Sequence, residues 1–306
     1  MKVSVLLPVY NGEKYLAACL DSVVTQDFKD MEILVSDDCS TDGTIEIIKY
    51  YAARDARIRW WQNTRNLGQA PNHNVCLKAA RGGFIKFIHA DDKLLFPEAL
   101  AWMVEILDKD DSVSLVGSAS FIMDEDSRQL SRRNNFTRSG LWDGKDVIVK
   151  CLEANANLIG EPTGTLFRRE QARRGFDVRY RQIMDMEMWF HLLQQGRFAY
   201  IAEPLFAYRE HPQQETATVR HTVGCAHEYL ALMTDYYRMP WMEAIATRQM
   251  LYAQIRALRE RSGISARPLT GDMMTKLKLF WYVVYWLKRK VFQSAQKISK
   301  YLRIRC

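Results

Sequence analysis

The sequence predicts an α/β protein with a mostly parallel central sheet flanked by helices, followed by a helical C-terminal region. Two observations favour this fold class. Short apolar runs alternate with helical patterns along residues 1–120, an order typical of parallel strands joined by right-handed crossovers. Three of the predicted strands are followed directly by polar side chains, as at the ligand-binding edge of such a sheet.

The individual elements follow from the apolar runs and the residues that flank them. Strands are predicted at residues 2–7, 32–36, 57–61, 84–88 and 113–117, and helices at 13–25, 40–54, 69–80 and 97–107. The pattern is less regular after residue 120. There we predict a polar loop at 124–140, a strand at 164–168, a helix at 185–195 and an amphipathic helical stretch at 215–261 that is broken near Pro240.

Length and composition are typical of a globular protein. The chain has 306 residues, 48% of them hydrophobic, which suits one large domain or a domain with an appendage. Its six cysteines form no CxxC pair, so neither a disulfide framework nor a zinc site is predicted. The sequence has no apolar stretch of about 18 residues and no signal-peptide pattern. We therefore expect a cytoplasmic protein.

Positive charge is concentrated at the C-terminus. From Lys276 onward there are nine Lys and Arg and no Asp or Glu, and the net charge of +7 becomes −2 when these nine are set aside. This distribution is not that of a nucleic-acid-binding protein. Aromatic residues between basic flanks predict attachment to an anionic membrane surface, on the inner face of the cell membrane. A helix packed on the preceding domain, with solvated Lys and Arg, is the open alternative.

Two adjacent carboxylates, Asp91 and Asp92, follow the predicted strand at 84–88. Like charges held this close repel, and one carboxylate takes up a proton unless a cation lies between them. Carboxylates together with diphosphate oxygens are suitable ligands for Mg²⁺ or Mn²⁺. The alternative is a solvated turn that precedes the next helix. The position after a buried strand favours the metal site.

The segment VSDDCSTDGT at residues 35–44 places Asp37 and Asp38 at the end of the second strand. An acid there can accept a hydrogen bond from a ribose hydroxyl or from the N–H of a base. The first strand is followed by PVYNGEKY, which has one glycine and lacks the G-x-G-x-x-G of dinucleotide-binding proteins. A nucleotide bound in a different way is therefore predicted. Ser40, Thr41 and Asp42 are also predicted to cap the following helix.

The ordered motifs PVYNG, EILVSDDCSTDGT, RNLGQAPNHN and IKFIHADD resemble the N-terminal half of family 2 glycosyltransferases of the GT-A fold. The similarity continues through GTLFRRE at 164–170, MDMEMWFHLLQQG at 184–196 and PLFAYREH at 204–211. The resemblance implies a nucleotide-diphosphate sugar donor, a divalent cation, Mn²⁺ or Mg²⁺, and transfer with inversion at the anomeric carbon. Enzymes of this kind build bacterial surface polysaccharides on glycan or lipid-linked acceptors.

At the matching motif positions, the resemblance implies that Pro8, Tyr10 and Asp38 line the base and ribose pocket, with Asp37 beside them. Arg65 is expected to compensate at this substrate site for a family arginine that this sequence lacks.

The resemblance also implies that Asp92, aided by Asp91, holds the metal on the diphosphate. His211 matches a late histidine that reaches the metal or the diphosphate. Asp185 matches the acidic residue that serves as general base, and such a base typically contributes about 10²–10⁴-fold. Capping of the helix at 186–195 is the structural alternative for Asp185.

Three positions depart from the family pattern. His89 stands where the first acid of the D-x-D motif is expected, and Met184 stands where Glu often precedes the catalytic Asp. Asn72 or His73 occupies the place of a common arginine. These departures leave one alternative open, a non-catalytic scaffold that binds nucleotide sugars or lipid headgroups in polysaccharide assembly.

The predicted domains are a glycosyltransferase domain at 1–213 and a helical region with the membrane-associating tail at 214–306. Within the first, residues 1–120 form the nucleotide-binding half and residues 121–213 the acceptor half.

Overall fold

The computed structural model describes residues 1–214, 223–242 and Ile255. The chain divides into two compact units, Met1–Tyr229 and Leu230–Cys306. The predicted basic tail lies outside the described residues. Within the described ranges, no helix is both long enough and apolar enough to span a bilayer.

The first half of the chain alternates strands and helices. In order, these are β1 (Val3–Val9), α1 (Leu16–Val24), β2 (Met31–Asp37), α2 (Thr44–Ala52), β3 (Ile58–Gln62), α3 (Gln69–Ala79), β4 (Phe84–Phe87), β5 (Lys93–Leu94) and α4 (Ala99–Lys109). All of them except the two-residue β5 lie within a few residues of the predicted elements.

The second half is less regular. Its elements are β6 (Val113–Met123), β7 (Gln129–Arg133), β8 (Gly140–Trp142), α5 (Gly144–Ala154), β9 (Thr165–Arg168), α6 (Met184–Leu193), β10 (Arg197–Arg209) and α7 (Val223–Tyr237). Two 3-10 turns, Pro162–Gly164 and Arg169–Ala172, flank β9.

The strands form one sheet of ten strands in the order β3-β2-β1-β4-β9-β6-β10-β5, with β7 paired to β6 and β8 to β10. β1 to β4 make a parallel block, and β6 pairs in parallel with β10. β9 is antiparallel to both of its neighbours and joins the two parallel groups. The predicted α/β fold is confirmed, with antiparallel pairing added in the second half.

The core lies on both faces of the parallel block, which explains why β1 and β2 are apolar along nearly their whole length. Every residue of β1 is buried. The side chains of Val3, Val5 and Leu7 pack with α1 and α4 in the main apolar cluster. The opposite face of β1 and β2 contacts α3. Because both faces of these strands are buried, the strand ends are held in position. The loops that carry the polar motifs are held in position with them.

The predicted loop at 124–140 is wrong in part, because it contains β7. The residues of β7 from Gln129 to Arg132 are exposed and include a single apolar side chain, Leu130, so they form no apolar run, and the strand is held by pairing with β6. The sequence analysis also missed α5, which begins where the Asp143 side chain accepts hydrogen bonds from the N–H groups of Lys145 and Asp146.

Candidate functional site

The polar segments that follow the strands meet along one edge of the sheet. β1, β2 and β4 run parallel, as do β6 and β10. Because β9 is antiparallel to both β4 and β6, all five strands end at the same edge. Asp37, Asp91 and His211 therefore share the edge at which ligands bind in sheets of this kind.

Asp91 and His211 are in direct contact. Nε2 of His211 lies 3.2 Å from Oδ2 of Asp91. The His211 side chain is 10% exposed and that of Asp91 is 25% exposed, so a ligand can reach the carboxylate. Nδ1 of His211 is buried and has no hydrogen-bond partner among the described residues. Burial opposes the ionisation of Asp91, but the hydrogen bond from His211 holds its pKa below the ordinary value.

Both carboxylate oxygens of Asp92 accept hydrogen bonds from other parts of the protein. Its Oδ2 accepts a hydrogen bond from the Thr163 hydroxyl at 2.6 Å, and its Oδ1 accepts one from the Arg209 N–H at 3.1 Å. Asp92 is 2% exposed. Burial and the adjacent charge of Asp91 raise the pKa of Asp92 well above its ordinary value. Asp91 is therefore the more accessible of the two carboxylates.

Arg209 fixes the backbone around this pair. Its buried guanidinium donates from Nε to the Asp91 carbonyl at 2.9 Å and from NH1 to the Asp124 carbonyl at 2.9 Å. The guanidinium carbon lies 4.3 Å from the centre of the Tyr15 ring. The sequence analysis did not single out Arg209, although it belongs to the quoted motif YREH.

These residues fit a divalent cation. A ring nitrogen of His89 and one oxygen each of Asp91 and Asp92 lie within 4.8 Å of one another. Nε2 of His211 borders this cluster through its contact with Asp91. Imidazole nitrogens and carboxylate oxygens are both common ligands of divalent metals.

The loops after β1 and β2 are joined to each other. The Asn11 N–H donates to Ser40 Oγ at 2.8 Å. The Gly12 N–H donates to Thr44 Oγ1 at 2.8 Å. The N-cap residue of α2 is Gly43, which has no side chain to form a capping bond. The predicted capping role of the Ser/Thr/Asp cluster is thus largely replaced by contacts between the two loops.

Pro8 and Tyr10 lie at the end of β1. Pro8 is buried beside Ser36 of β2, whereas Tyr10 is 52% exposed, so its ring is open to a ligand. Asn11 and Cys39 have φ values of 50° and 65°. Residues other than glycine seldom adopt this left-handed region, and such strain is concentrated at binding sites.

Asp37 and Asp38 differ in whether both of their carboxylate oxygens accept hydrogen bonds from the protein. Asp38 accepts hydrogen bonds from Asn63 Nδ2 at 2.8 Å and from the N–H groups of Leu67 and Gly68, both at 2.9 Å. Asp37 Oδ2 accepts from Ser40 N–H and from the Gln62 side chain. Its Oδ1 is buried and has no partner. Of the two, Asp37 has the oxygen that is left for a ligand.

The segment after β3 contains the positions compared with a family arginine. Asn72 is buried and bonds to Ser36 of β2 through both its oxygen and its nitrogen. His73 is also buried, and burial lowers its pKa to about 3. Neither residue supplies a positive charge. Arg65 is exposed on the loop whose backbone Asp38 binds, and its proposed contact with the substrate stays a prediction.

Asp185 lies in the first turn of α6, near the loop at 155–161. Its Oδ1 accepts from the Met186 N–H at 2.7 Å, and its Oδ2 accepts from Asn157 Nδ2 at 3.0 Å. The N-cap residue of α6 is Ile183, so the capping role considered for Asp185 is wrong. Burial raises the pKa of Asp185 to about 7, and the negative charge of Glu161 adds to this shift. A carboxylate with this pKa is suited to accept a proton near neutral pH.

Glu161 links the two carboxylate sites. Its negative charge contributes to the raised pKa of both Asp92 and Asp185. Its own carboxylate is paired with Arg133 of β7. Glu161 is thus close enough to influence the ionisation of both carboxylates.

Two other glutamates are involved in the position of α6. Glu187 forms a two-pronged ion pair with Arg174, at 2.8 and 2.7 Å, which indicates a structural role. Glu228 of α7 accepts hydrogen bonds from the N–H groups of three consecutive residues, 181–183, just before α6. The sequence analysis missed this contact because the partners are 45 to 47 residues apart.

Comparison with known proteins identifies the family to which the chain belongs. Residues 4–176 match the family model described as glycosyl transferase family 2. EpsE of Bacillus subtilis, whose own glycosyltransferase assignment is provisional, is 32% identical over 218 residues, which are 68% of this chain and 73% of EpsE. TuaG of the same organism, provisionally assigned to teichuronic acid biosynthesis as a glycosyltransferase, is 31% identical over 216 residues, 68% of this chain and 78% of TuaG.

Solved structures share the fold. Staphylococcus aureus TarS in complex with UDP-GlcNAc superimposes with a TM-score of 0.67 at 21% identity, over 85% of this chain and 73% of that one. The mannosyltransferase PcManGT of Pyrobaculum calidifontis, in complex with GDP-Man and Mn²⁺, gives a TM-score of 0.58 at 19% identity, over 87% of this chain and 76% of that one. Both similarities support the GT-A architecture of the sheet and its helices.

Proposed function

The chain belongs to glycosyl transferase family 2 and is a glycosyltransferase, and we propose that it moves a sugar from a nucleoside diphosphate sugar to a hydroxyl of a glycan or lipid-linked acceptor. This proposal is based on one observation. The structure brings the Asp91–His211 pair and the Asp37 oxygen to one edge of the sheet, while Asp185 has a pKa of about 7. TarS binds UDP-GlcNAc and PcManGT binds GDP-Man, which supports a donor of this class.

The nucleotide lies, in this proposal, between the loops after β1 and β2. Tyr10 contributes an exposed ring for contact with the base. Asp37 accepts a hydrogen bond from the base or ribose through its unpartnered Oδ1. Asp38 shapes the pocket by holding the backbone of Leu67 and Gly68, so its role is indirect.

The diphosphate lies next to Asp91 and His211. We place Asp91 first among the cation ligands, with His211 beside it and Asp92 behind, because both oxygens of Asp92 already accept protein hydrogen bonds. A bound Mn²⁺ or Mg²⁺ neutralises the charge that develops on the departing diphosphate. Arg209 keeps the Asp91 backbone in place through its bond to the carbonyl.

Asp185 takes the proton of the acceptor hydroxyl. Its position on a segment separate from β4 allows attack on the face of the sugar opposite the diphosphate, which gives inversion at the anomeric carbon. Asn157 and the Met186 N–H hold the carboxylate in one orientation. Asp185 and His211 both lie beyond the matched residues 4–176, so their roles rest on geometry and on motif resemblance.

The non-catalytic scaffold is not retained, because the family is enzymatic and the relatives above are named as glycosyltransferases. The test is a panel of UDP-, GDP- and dTDP-sugars incubated with the purified protein, with release of the nucleoside diphosphate measured by chromatography. We expect one donor class to be consumed with Mn²⁺ or Mg²⁺ and not in chelator. Full activity in chelator would contradict the cation assignment, and no release from any of the donors would contradict the donor assignment.

The tail from residue 276 to the end is proposed to hold the enzyme at the inner face of the membrane, near a lipid-linked acceptor. Its nine basic residues support this, since each contributes about 1 kcal/mol near an anionic surface. The full chain should sediment with vesicles that contain phosphatidylglycerol and not with neutral vesicles. Equal recovery with both would rule out the electrostatic attachment.

A further inference from the structure

We propose that His89 is a nitrogen ligand of the cation and that the site consequently prefers Mn²⁺ to Mg²⁺. This rests on the proposed function, because it concerns the same cation. In the sequence, His89 departs from the acidic motif and is a candidate for a polar residue that lines the site. The structure places it inside the cluster with Asp91 and Asp92.

The backbone of His89 is fixed. Its N–H donates to the Thr163 hydroxyl at 3.1 Å, and its carbonyl accepts from Cys19 Sγ at 3.3 Å. The same Thr163 hydroxyl donates to Asp92. His89 and the two carboxylates are therefore held in one rigid turn at the end of β4, with donor atoms within 4.8 Å of one another.

His73 orients the His89 ring. The Nδ1–H of His73 donates to the Gln69 carbonyl at 2.8 Å, which leaves the lone pair of a neutral ring on Nε2. That Nε2 lies 3.3 Å from Nε2 of His89, so His89 must be the donor of this pair. The rings of Phe87 and Phe176 pack on His73, with centroids at 4.9 and 5.3 Å.

This arrangement resembles that of metal-binding histidines in general. Such a histidine usually donates the N–H of one ring nitrogen to an outer partner and binds the metal through the other. With Nε2–H donated to His73, the lone pair of neutral His89 is on Nδ1. His73 is therefore a positioning residue, and His89 presents a nitrogen donor toward a site that also has His211.

A nitrogen ligand changes which cation is preferred. Mg²⁺ requires near-ideal octahedral geometry and favours oxygen ligands. Imidazole binds divalent transition metals better, and replacement of a carboxylate by a histidine therefore lowers affinity for Mg²⁺ more than for Mn²⁺. A site built of His89, Asp91 and Asp92 should prefer Mn²⁺, whereas an all-carboxylate site would accept either.

The test measures cation binding directly. Mn²⁺ and Mg²⁺ are titrated calorimetrically into the full chain in the presence of UDP, GDP or dTDP, each in turn, and the ratio of the two Kd values is compared between the wild type and His89→Asp. We expect wild type to bind Mn²⁺ more tightly and His89→Asp to reduce this preference by about 10-fold or more. Pulsed electron paramagnetic resonance of bound Mn²⁺ should show nitrogen coupling that weakens in His89→Gln. His227→Gln, an exposed histidine of α7, serves as the matched control.

The outcomes separate this inference from the proposed function. Mn²⁺ binding with the same Kd ratio and the same nitrogen coupling in His89→Asp and His89→Gln as in wild type would overturn the role of His89 and leave the function standing. Absence of any cation binding by the wild type with UDP, GDP and dTDP would overturn both. Circular dichroism and the Tm of each variant confirm that the compared proteins are folded.

Discussion

His211 Nε2 lies 3.2 Å from Asp91 Oδ2, although the two residues are 120 positions apart in the chain. The contact exists because β4 and β10 end at the same edge of the sheet, on either side of the antiparallel β9 and the strand β6. It joins the acidic turn after β4 to the last strand of the domain. The proposed cation site therefore depends on the complete sheet, and not on the acidic turn alone.

Asp91→Asn should abolish most of the cation-dependent activity. Loss of the accessible carboxylate removes stabilisation of the leaving diphosphate, and we expect kcat to fall by about 10²-fold or more. Steady-state kinetics with the active donor and Mn²⁺ measures this. Asp111→Asn is the control, because the Asp111 side chain is 99% exposed. Equal loss in both variants would argue against a specific role for Asp91.

Asp185→Asn should reduce turnover without weakening donor binding. An amide cannot take the acceptor proton, so kcat should fall by about 10²–10⁴-fold. The Kd for the nucleoside diphosphate, measured by calorimetry, should change little. Asp146→Asn, on the exposed first turn of α5, is the matched control. Unchanged turnover in Asp185→Asn would remove the general-base assignment.

The rate should depend on pH through the same residue. Asp185 must be ionised to accept a proton, and its pKa is raised to about 7. The kcat/KM of the wild type should therefore rise as pH increases through about 7 and then level off, when Mn²⁺ is saturating. The pH profile of kcat/KM is the measurement. A profile with no rise in this range would contradict a base with a raised pKa.

Asp37 and Asp38 should give opposite results when each is changed to Asn. Asp37→Asn removes the unpartnered acceptor, so the Kd for the nucleotide should rise by about 10-fold, with a small change in Tm. Asp38→Asn disturbs three protein hydrogen bonds, so the free energy of unfolding should fall by about 1–3 kcal/mol. Calorimetry and urea unfolding measure the two effects. A reversed pattern would place Asp38 on the nucleotide.

Lys86 should make stability depend on pH. This buried lysine of β4 donates to the Thr163 and Thr165 carbonyls, and burial lowers its pKa from 10.5 to about 7. Between these values the unfolded chain binds more protons than the folded protein at this site. The free energy of unfolding should therefore rise with pH there, by up to about 1.4 kcal/mol per pH unit.

Lys86→Met should lose this pH dependence, and the exposed Lys78→Met should keep it. Urea unfolding at several pH values inside the window measures the slopes. The variant should also be less stable by about 1–3 kcal/mol, because the two carbonyls lose their donor. Identical slopes in wild type and Lys86→Met would show that the lysine does not titrate in this range.

The sequence predicted the first half of the fold well, because β1, β2 and β4 are apolar runs buried on both faces. β7 could not be predicted in the same way, since most of its side chains are exposed and pairing with β6 holds it in the sheet. The positions of Asp37, Asp91 and Asp92 at strand ends also followed from the pattern of apolar and polar residues.

The contacts that support the site could not be read from the sequence. Thr163 reaches Asp92 across 71 residues and Arg209 reaches the Asp91 carbonyl across 118 residues. The difference between Asp37 and Asp38 depends on which oxygens the protein already uses, and adjacent identical residues give no hint of it. These contacts form only when distant segments of the chain pack together.

The most direct test of the central claim is the position of bound Mn²⁺ in crystals grown with Mn²⁺ and UDP, located by anomalous diffraction at the manganese edge. We expect one strong peak in contact with Asp91 and His211, with the UDP diphosphate beside it. A diphosphate bound elsewhere, or a manganese peak remote from both residues, would contradict it.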